Sequence, residues 1–278
     1  MIETITLTDF RNHKTARITT CGHRNVIITG PNGAGKTAVL EAVSMLSGDR
    51  GMRGAPWGEI ARFGGSGGFS VFAVLSDDTE ISVYFNAGDT NRRARVDSAH
   101  SGRVQRLGKL LSERAFALKS GRNAHWLDAI DAQIAATSVA IADARIKYAG
   151  ELNYFLTGAA VSVAGIVEKM LLSGAPAAAA EREYMEYLGN NRELVGDKMV
   201  LDGVHKSDFG VFNTALGLPA NLTSTGQQKT ALLNIILAHA KLIHTKTGAR
   251  PLILLDEAAA HLDAVARANL FAELGRAD

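Results

Sequence analysis

The chain has 278 residues, 46% of them hydrophobic, and a formal net charge of +2. That is enough for a full core in one large soluble domain or a domain plus an insertion, and the charge is too small to identify a partner, though a local basic face could still meet phosphates. A single cysteine, Cys21, excludes an internal disulfide and a cysteine-built zinc site, implies a reducing, cytoplasmic compartment, and reads as a core thiol. The amino terminus, MIETITLTDFRNHKT, has no basic stretch followed by an apolar one, and no apolar run reaches membrane-spanning length, so neither secretion nor membrane insertion is expected.

The first third predicts strands: ITLTDF, ARITT and RNVIITG, then FSVFAVL and EISVYF, all rich in β-branched and aromatic residues, with GGSGG at 64–68 among the turns between them. GPNGAGKT at 30–37 follows the predicted strand VIIT and precedes the helical AVLEAVSML, the setting a phosphate-binding loop requires. Its residues Gly30, Pro31, Asn32, Gly33, Ala34 and Gly35 let consecutive amides turn toward phosphates. Lys36 would reach the β- and γ-phosphates, and the Thr37 hydroxyl is placed to ligate Mg2+. A chance Gly-rich turn is the competing reading, and the flanking strand and helix argue against it.

From about residue 107 to 194 the pattern turns helical, with many Ala, Leu and Glu. Ile130, Ile134, Ile141, Tyr148 and Phe155 keep near a heptad seam, as in a long amphipathic bundle helix. SGAPAAAAER at 173–182 reads as a turn into a further helix. After Asp202 strand and helix alternate again, so the helical middle at 107–195 is expected as an insertion into an α/β domain formed by 1–106 and 196–278.

Two later segments complete the chemistry. In LTSTGQQKTALLNIILAHAKL, helix capping accounts for Ser224, but it does not by itself account for Gly226 and the pair Gln227 and Gln228 ahead of so apolar a helix. PLILLDE supplies an apolar strand ending in Asp256, suited to hold Mg2+ through water, and Glu257, placed to orient or deprotonate an attacking water. A strand ending in acidic residues is weak evidence alone and strong evidence beside a phosphate loop.

STGQQ followed by an apolar helix resembles the signature motif of ATP-binding-cassette ATPases. In that superfamily the signature of one subunit covers the γ-phosphate held by the other. The resemblance implies that Ser224, Thr225, Gly226, Gln227 and Gln228 act in trans in an ATP-dependent homodimer, and that His261, Leu262 and Asp263 form the D-loop crossing its interface. LTDFRNHKT, with Arg11 and Asn12, is similar to the opening of the RecF and SMC-like DNA-repair ATPases. EAVSMLSGDRGMRG, NAHWLDAIDAQIAATSVAIADAR, GVHKSDF and LLDEAAAHLD extend the likeness through most of the chain in the right order. The implied fold is α/β, a P-loop ABC/SMC-like ATPase head with an inserted α-helical arm, and Arg11 and Asn12 would help line the ATP site.

The resemblance further implies a cytoplasmic recombination mediator acting with RecR and RecO. It would bind gapped, single-stranded and double-stranded DNA without sequence preference when ATP is bound, and hydrolyse ATP slowly as a release switch. Arg50, Arg53, Arg92, Arg93 and Arg95 are candidates for the DNA-facing surface, although a solvated charge cluster suits each of them as well. Three departures from the family pattern stand out. Several tens of residues are missing between LGKLL and ERAFALKSGRNAHW, including the equivalent of the Q-loop. GVHKSD carries Val204 and Lys206 where the family has Pro and Arg, and the sequence stops at Asp278 before a further strand. A nucleotide-binding interaction protein that no longer hydrolyses ATP is therefore an alternative expectation. A transporter ATPase is a third, disfavoured by the FRN start and the helical insertion.

Overall fold

The computed structural model describes residues 1–21, 23, 25–48, 51–87, 99–121, 124–193, 201–258, 262 and 264–276. The chain packs as two compact units, Met1–Val96 with Ile253–Glu257, and Asp97–Leu252 with Ala258–Asp278. The segment Ile253–Glu257 thus returns to the first unit after the second has begun.

In the first unit, β1 (Ile2–Phe10) and β2 (His13–Thr19) are antiparallel, with Phe10 opposite His13 and a two-residue turn, Arg11 and Asn12, between them. β3 (Phe69–Leu75) pairs with the other edge of β1, and β4 (Glu80–Phe85) with β3, giving the order β2-β1-β3-β4. Alternation along these strands turns Ile5, Leu7, Val71 and Ala73 to one face. Against that face lies α1 (Lys36–Met45), which buries Ala38, Val39, Ala42 and Met45 at helical spacing. The short helix α2 (Trp57–Ile60) adds Ile60 and sets Trp57 among Phe69 and Phe85.

Two features of this unit differ from the sequence expectation. Cys21 is exposed, in the turn after β2, because β2 ends at Thr19 and the alternation no longer carries the chain inward. Residues 26–29 and 252–255, predicted as strands, pair into neither sheet among the described residues, leaving Ile27 78% and Leu252 62% exposed. Both runs have strand composition, but a ladder also needs a neighbour.

The second unit is built on α3 (Ala99–Lys119) and the long α4 (Ala124–Asn153). Ile130, Ile134 and Ile141 of the predicted seam are buried with Leu107 and Leu110 of α3, with Val167 and Met170 of α5 (Ile166–Leu172), and with Tyr184 and Leu188 of α6 (Ala177–Asn190). Tyr148 and Phe155 lie lower on the seam, packed at the edge of a second core of Ala149, Leu152, Val161, Val163 and Ala238. The helical stretch begins at Ala99, before residue 107. It is also interrupted by β5 (Ala159–Ala164), whose period of two is masked by alanines on both faces while Val161 and Val163 point inward. β5 pairs with β6 (Asp208–Asn213), and β6 with β7 (Leu218–Pro219). The predicted turn at 173–176 leads into α6 as expected. α7 (Thr225–Thr247) and α8 (Ala264–Arg276) complete the unit.

GVHKSDF crosses this unit as a staple. Val204 is buried, and its carbonyl accepts from the Arg145 guanidinium. The Ser207 hydroxyl donates to the fully buried Glu168 at 2.6 Å, and Lys206 pairs with Asp202 at 2.9 Å. The Tyr184 hydroxyl donates to Asp202 O at 3.0 Å, and burial pushes its pKa up to about 12. Among the described residues no helix is long and apolar enough to cross a membrane.

The tightest polar knot in the unit is Asp131 on α4. Its carboxylate accepts from Arg114 Nε at 2.6 Å and from Arg192 Nη2 at 2.6 Å, while Arg114 also donates to Leu188 O at 2.7 Å. Asp131 is fully buried and Arg114 nearly so, so removing the acid strands a guanidinium inside the bundle. Asp131→Ala should therefore cost about 3–5 kcal/mol in urea unfolding. An unchanged midpoint would show that the triad is dispensable.

Candidate nucleotide-binding site

The site begins at the turn between β1 and β2. Arg11 sits there with φ +52, in the left-handed region that a bulky side chain rarely adopts. Its guanidinium forks onto the fully buried Glu41 of α1, Nε to Oε2 at 2.8 Å and Nη2 to Oε1 at 2.6 Å, and Nη1 donates to Glu59 O at 2.9 Å. These charge-assisted bonds offset the backbone strain and fix the turn to the helix. Behind it, Arg62 Nε donates to Asp9 Oδ1 at 2.7 Å, and the Arg62 and Ser66 hydrogen bonds lower the Asp9 pKa.

The next two residues reach the phosphate loop. Asn12 Nδ2 donates to Gly33 O at 3.0 Å, and His13 Nε2 lies 3.3 Å from Gly35 O. Gly33 and Gly35 have φ of +82 and +91, so the glycines at these positions are required by the path of the backbone. Gly35 is the N-cap of α1, which has no acidic residue in its first turn. The helix therefore opens toward the loop with unopposed partial positive charge. The Lys36 ammonium lies across the loop, donating to Gly30 O at 2.8 Å and Pro31 O at 2.9 Å. Thr37, next on the helix, is half-buried. Lys36, the start of α1 and Thr37 thus stand side by side, and their chemistry fits a magnesium-bound polyphosphate.

Asp256 and Glu257 are both exposed and belong to the same unit as the loop. Glu257 has φ +49, a conformation costing roughly 1–2 kcal/mol for a residue with a Cβ. Among the described residues no group of three or more His, Cys, Asp or Glu is placed to hold a metal ion.

In the second unit, Ser224 N-caps α7. Its Oγ accepts from Gln227 N, and Gln227 Oε1 accepts from Ser224 N at 3.0 Å, a reciprocal capping box. Gln228 Nε2 donates to Thr223 O at 2.9 Å and braces the 3-10 turn before the helix. Local capping therefore accounts for Ser224 and, contrary to the sequence expectation, also for Gln227; Gln228 braces the preceding turn, and Gly226 is not explained by the cap. No acidic residue occupies the first turn of α7, so this helix start can also attract an anion. Leu262 is buried, while His261 and Asp263 lie outside the described residues, as do Arg50, Arg92, Arg93 and Arg95.

A model of the RecF/RecN/SMC N-terminal domain matches residues 1–277. The chain belongs to this family. It is 33% identical over 327 positions to the "DNA replication and repair protein RecF" of Rhizobium leguminosarum bv. trifolii (strain WSM2304), covering 95% of this chain and 87% of that protein. It is 34% identical to the protein of the same name from Mesorhizobium japonicum, with 98% and 88% covered. A solved structure described as "Structure of the recombination mediator protein RecF-ATP in RecFOR pathway" has the same fold, with a TM-score of 0.77 at 20% identity over 99% of this chain and 90% of that one. The fold is accordingly that of the RecF-type P-loop ATPase. Since 95% of 278 residues is roughly 264, about 60 of the 327 aligned positions have no residue here, so this member of the family is internally shortened.

The FRN motif drew attention to Arg11 and Asn12, which contact Glu41 and the loop; it did not mark Glu41 or His13 as their neighbours. Glu41 looks like any helical glutamate, and only folding reveals that it is buried under Arg11. His13 had one signal, its place directly after Asn12. The capping box makes a separate claim on stability: Ser224→Ala should cost about 1 kcal/mol in thermal or urea unfolding. A variant as stable as the parent would mean that the cap contributes nothing.

Proposed function

We propose that this chain is an ATP-dependent DNA-binding protein of recombinational repair. The observation that carries the reading is the phosphate loop, with Lys36 clasped by the Gly30 and Pro31 carbonyls at the open start of α1. Relatives named for DNA replication and repair, and a solved relative described with ATP, support it. The loop 30–37 binds the triphosphate, with Lys36 on the β- and γ-phosphates. Thr37 and Asp256 would hold Mg2+, whose charge would offset that developing on the phosphates. Glu257 orients the attacking water and accepts its proton. Its left-handed backbone fits that role, because strain of this kind concentrates where a side chain must be aimed.

The functional assembly is an ATP-dependent homodimer, in which Ser224 and the Gly226 amide of one copy meet the γ-phosphate held by the other. We assign residues 1–106 and 196–278 to the ATPase lobe and 107–195 to the helical arm, a functional division that differs from the packing units, in which 196–252 and 258–278 group with the helices. The closed dimer holds gapped, single-stranded or double-stranded DNA by its backbone, with Arg53, an exposed residue, among the contacts, and works with RecR- and RecO-type mediators in the cytoplasm. Slow hydrolysis releases the DNA.

A second reading has its own support. The internal shortening and the unpaired runs at 26–29 and 252–255 favour a protein that binds ATP but turns it over poorly. Lys36→Ala should lower affinity for ATP·Mg2+ at least about tenfold by calorimetry, an effect above 1.4 kcal/mol. Unchanged affinity would refute the loop's role. In light scattering, Glu257→Gln with ATP·Mg2+ should give a dimer that retains gapped DNA. A variant that hydrolyses ATP at the parental rate removes Glu257 from the chemistry, and a monomer that binds ATP but not DNA selects the second reading.

A further inference from the structure

We propose that His13 sets the geometry of the phosphate loop through the carbonyl of Gly35, as a positioning residue for triphosphate binding. The inference rests on the nucleotide-binding reading above and assigns a function to a residue outside the loop. His13 opens β2, and its backbone is pinned by pairing with Phe10, while the turn beside it is tied to α1 through Arg11 and Glu41. The ring is therefore delivered to the loop by a rigid element.

A carbonyl only accepts, so at 3.3 Å from Gly35 O the Nε2 atom carries the proton. The same carbonyl also accepts Val39 N at 3.1 Å, the first bond of α1, and its two lone pairs accommodate both donors. In a trans peptide the carbonyl and the following N–H point in opposite directions. Holding Gly35 O back toward His13 and the helix consequently aims the Lys36 amide out of the helix start, into the mouth of the loop. Asn12 acts on the loop two peptides earlier. It holds Gly33 O, and the Ala34 amide of the same peptide donates to Pro31 O at 3.3 Å, closing a turn on the carbonyl on which the Lys36 ammonium also rests. Adjacent side chains of one turn thus fix the turn within the loop and the amide at the helix start.

Steric fit makes the same point. A Cβ on Gly35 would overlap the His13 ring and stand 2.7 Å from Asn12 Oδ1, so turn and loop are interlocked with no slack. The side chain does not have to touch phosphate to affect affinity, because an amide left free to turn must be ordered again on binding.

The test compares His13→Ala, His13→Phe and His13→Gln with the parent and with Lys36→Ala, by calorimetry with ATP·Mg2+. His13→Ala and His13→Phe, which lack the donor, should bind about tenfold more weakly, the worth of one hydrogen bond, and His13→Gln should restore most of the affinity. Parental affinity in His13→Ala, with Lys36→Ala still defective, overturns the proposal and leaves the loop assignment standing. Hydrogen exchange on the nucleotide-free protein gives a readout that does not depend on ATP. Amides at 33–36 should exchange faster in His13→Ala than in His13→Gln at equal global stability, and equal rates would overturn the proposal whether or not the chain binds ATP.

Discussion

The salt bridge between Arg11 and Glu41 joins three things that would otherwise move independently: the strand pair that opens the chain, the helix that follows the phosphate loop, and the loop between them. Glu41 has no access to water, and a buried carboxylate without a partner is costly enough that its partner's position becomes fixed. Arg11 satisfies it with both oxygens engaged, a geometry that a lysine could not reproduce. Once the turn is locked to α1, Asn12 and His13 have no freedom except to lie against Gly33 and Gly35. The phosphate loop is thus shaped from outside as much as by its own glycines.

The start of α7 shows how one short sequence can serve two ends. Ser224 and Gln227 satisfy each other's backbone groups, and Gln228 steadies the turn before the helix. The capping box takes up the Gln227 and Ser224 amides, while no carboxylate competes for the first turn and the helix dipole still favours an anion there. A capped helix start is better prepared for a phosphate than a frayed one, so the stabilising and the binding roles of the motif reinforce each other.

Internal shortening bears on coupling more than on binding. The clasp of the loop lies wholly within the first unit, among residues 11–41, so it survives the loss of about 60 aligned positions elsewhere. The apolar runs at 26–29 and 252–255 differ: each has strand composition, yet neither joins a sheet among the described residues. A nucleotide site can keep its affinity while the β-structure that would carry its state to other elements is reduced. This is the physical basis for keeping a binding-only protein as the second reading.

The sequence by itself determined the parts whose cause is local. The backbone path of the loop 30–37 was legible because its glycines take left-handed conformations ahead of a helix start, and β1 to β4 because they are rich in β-branched and aromatic residues. The buried seam of α4 at Ile130, Ile134 and Ile141 was equally plain, since its period is helical. Tertiary structure alone decided the rest. β5 was hidden because Ala suits both faces of a strand and the interior of a helix. Cys21 turned outward because the position where β2 ends is set by pairing with β1. Residues 26–29 and 252–255 lacked neighbours that no single strand can specify. His13 and Glu41 entered the site only because a turn, a helix and a loop distant in sequence close on one another. Local pattern fixes what a segment can become; partners brought from elsewhere in the chain fix whether it does.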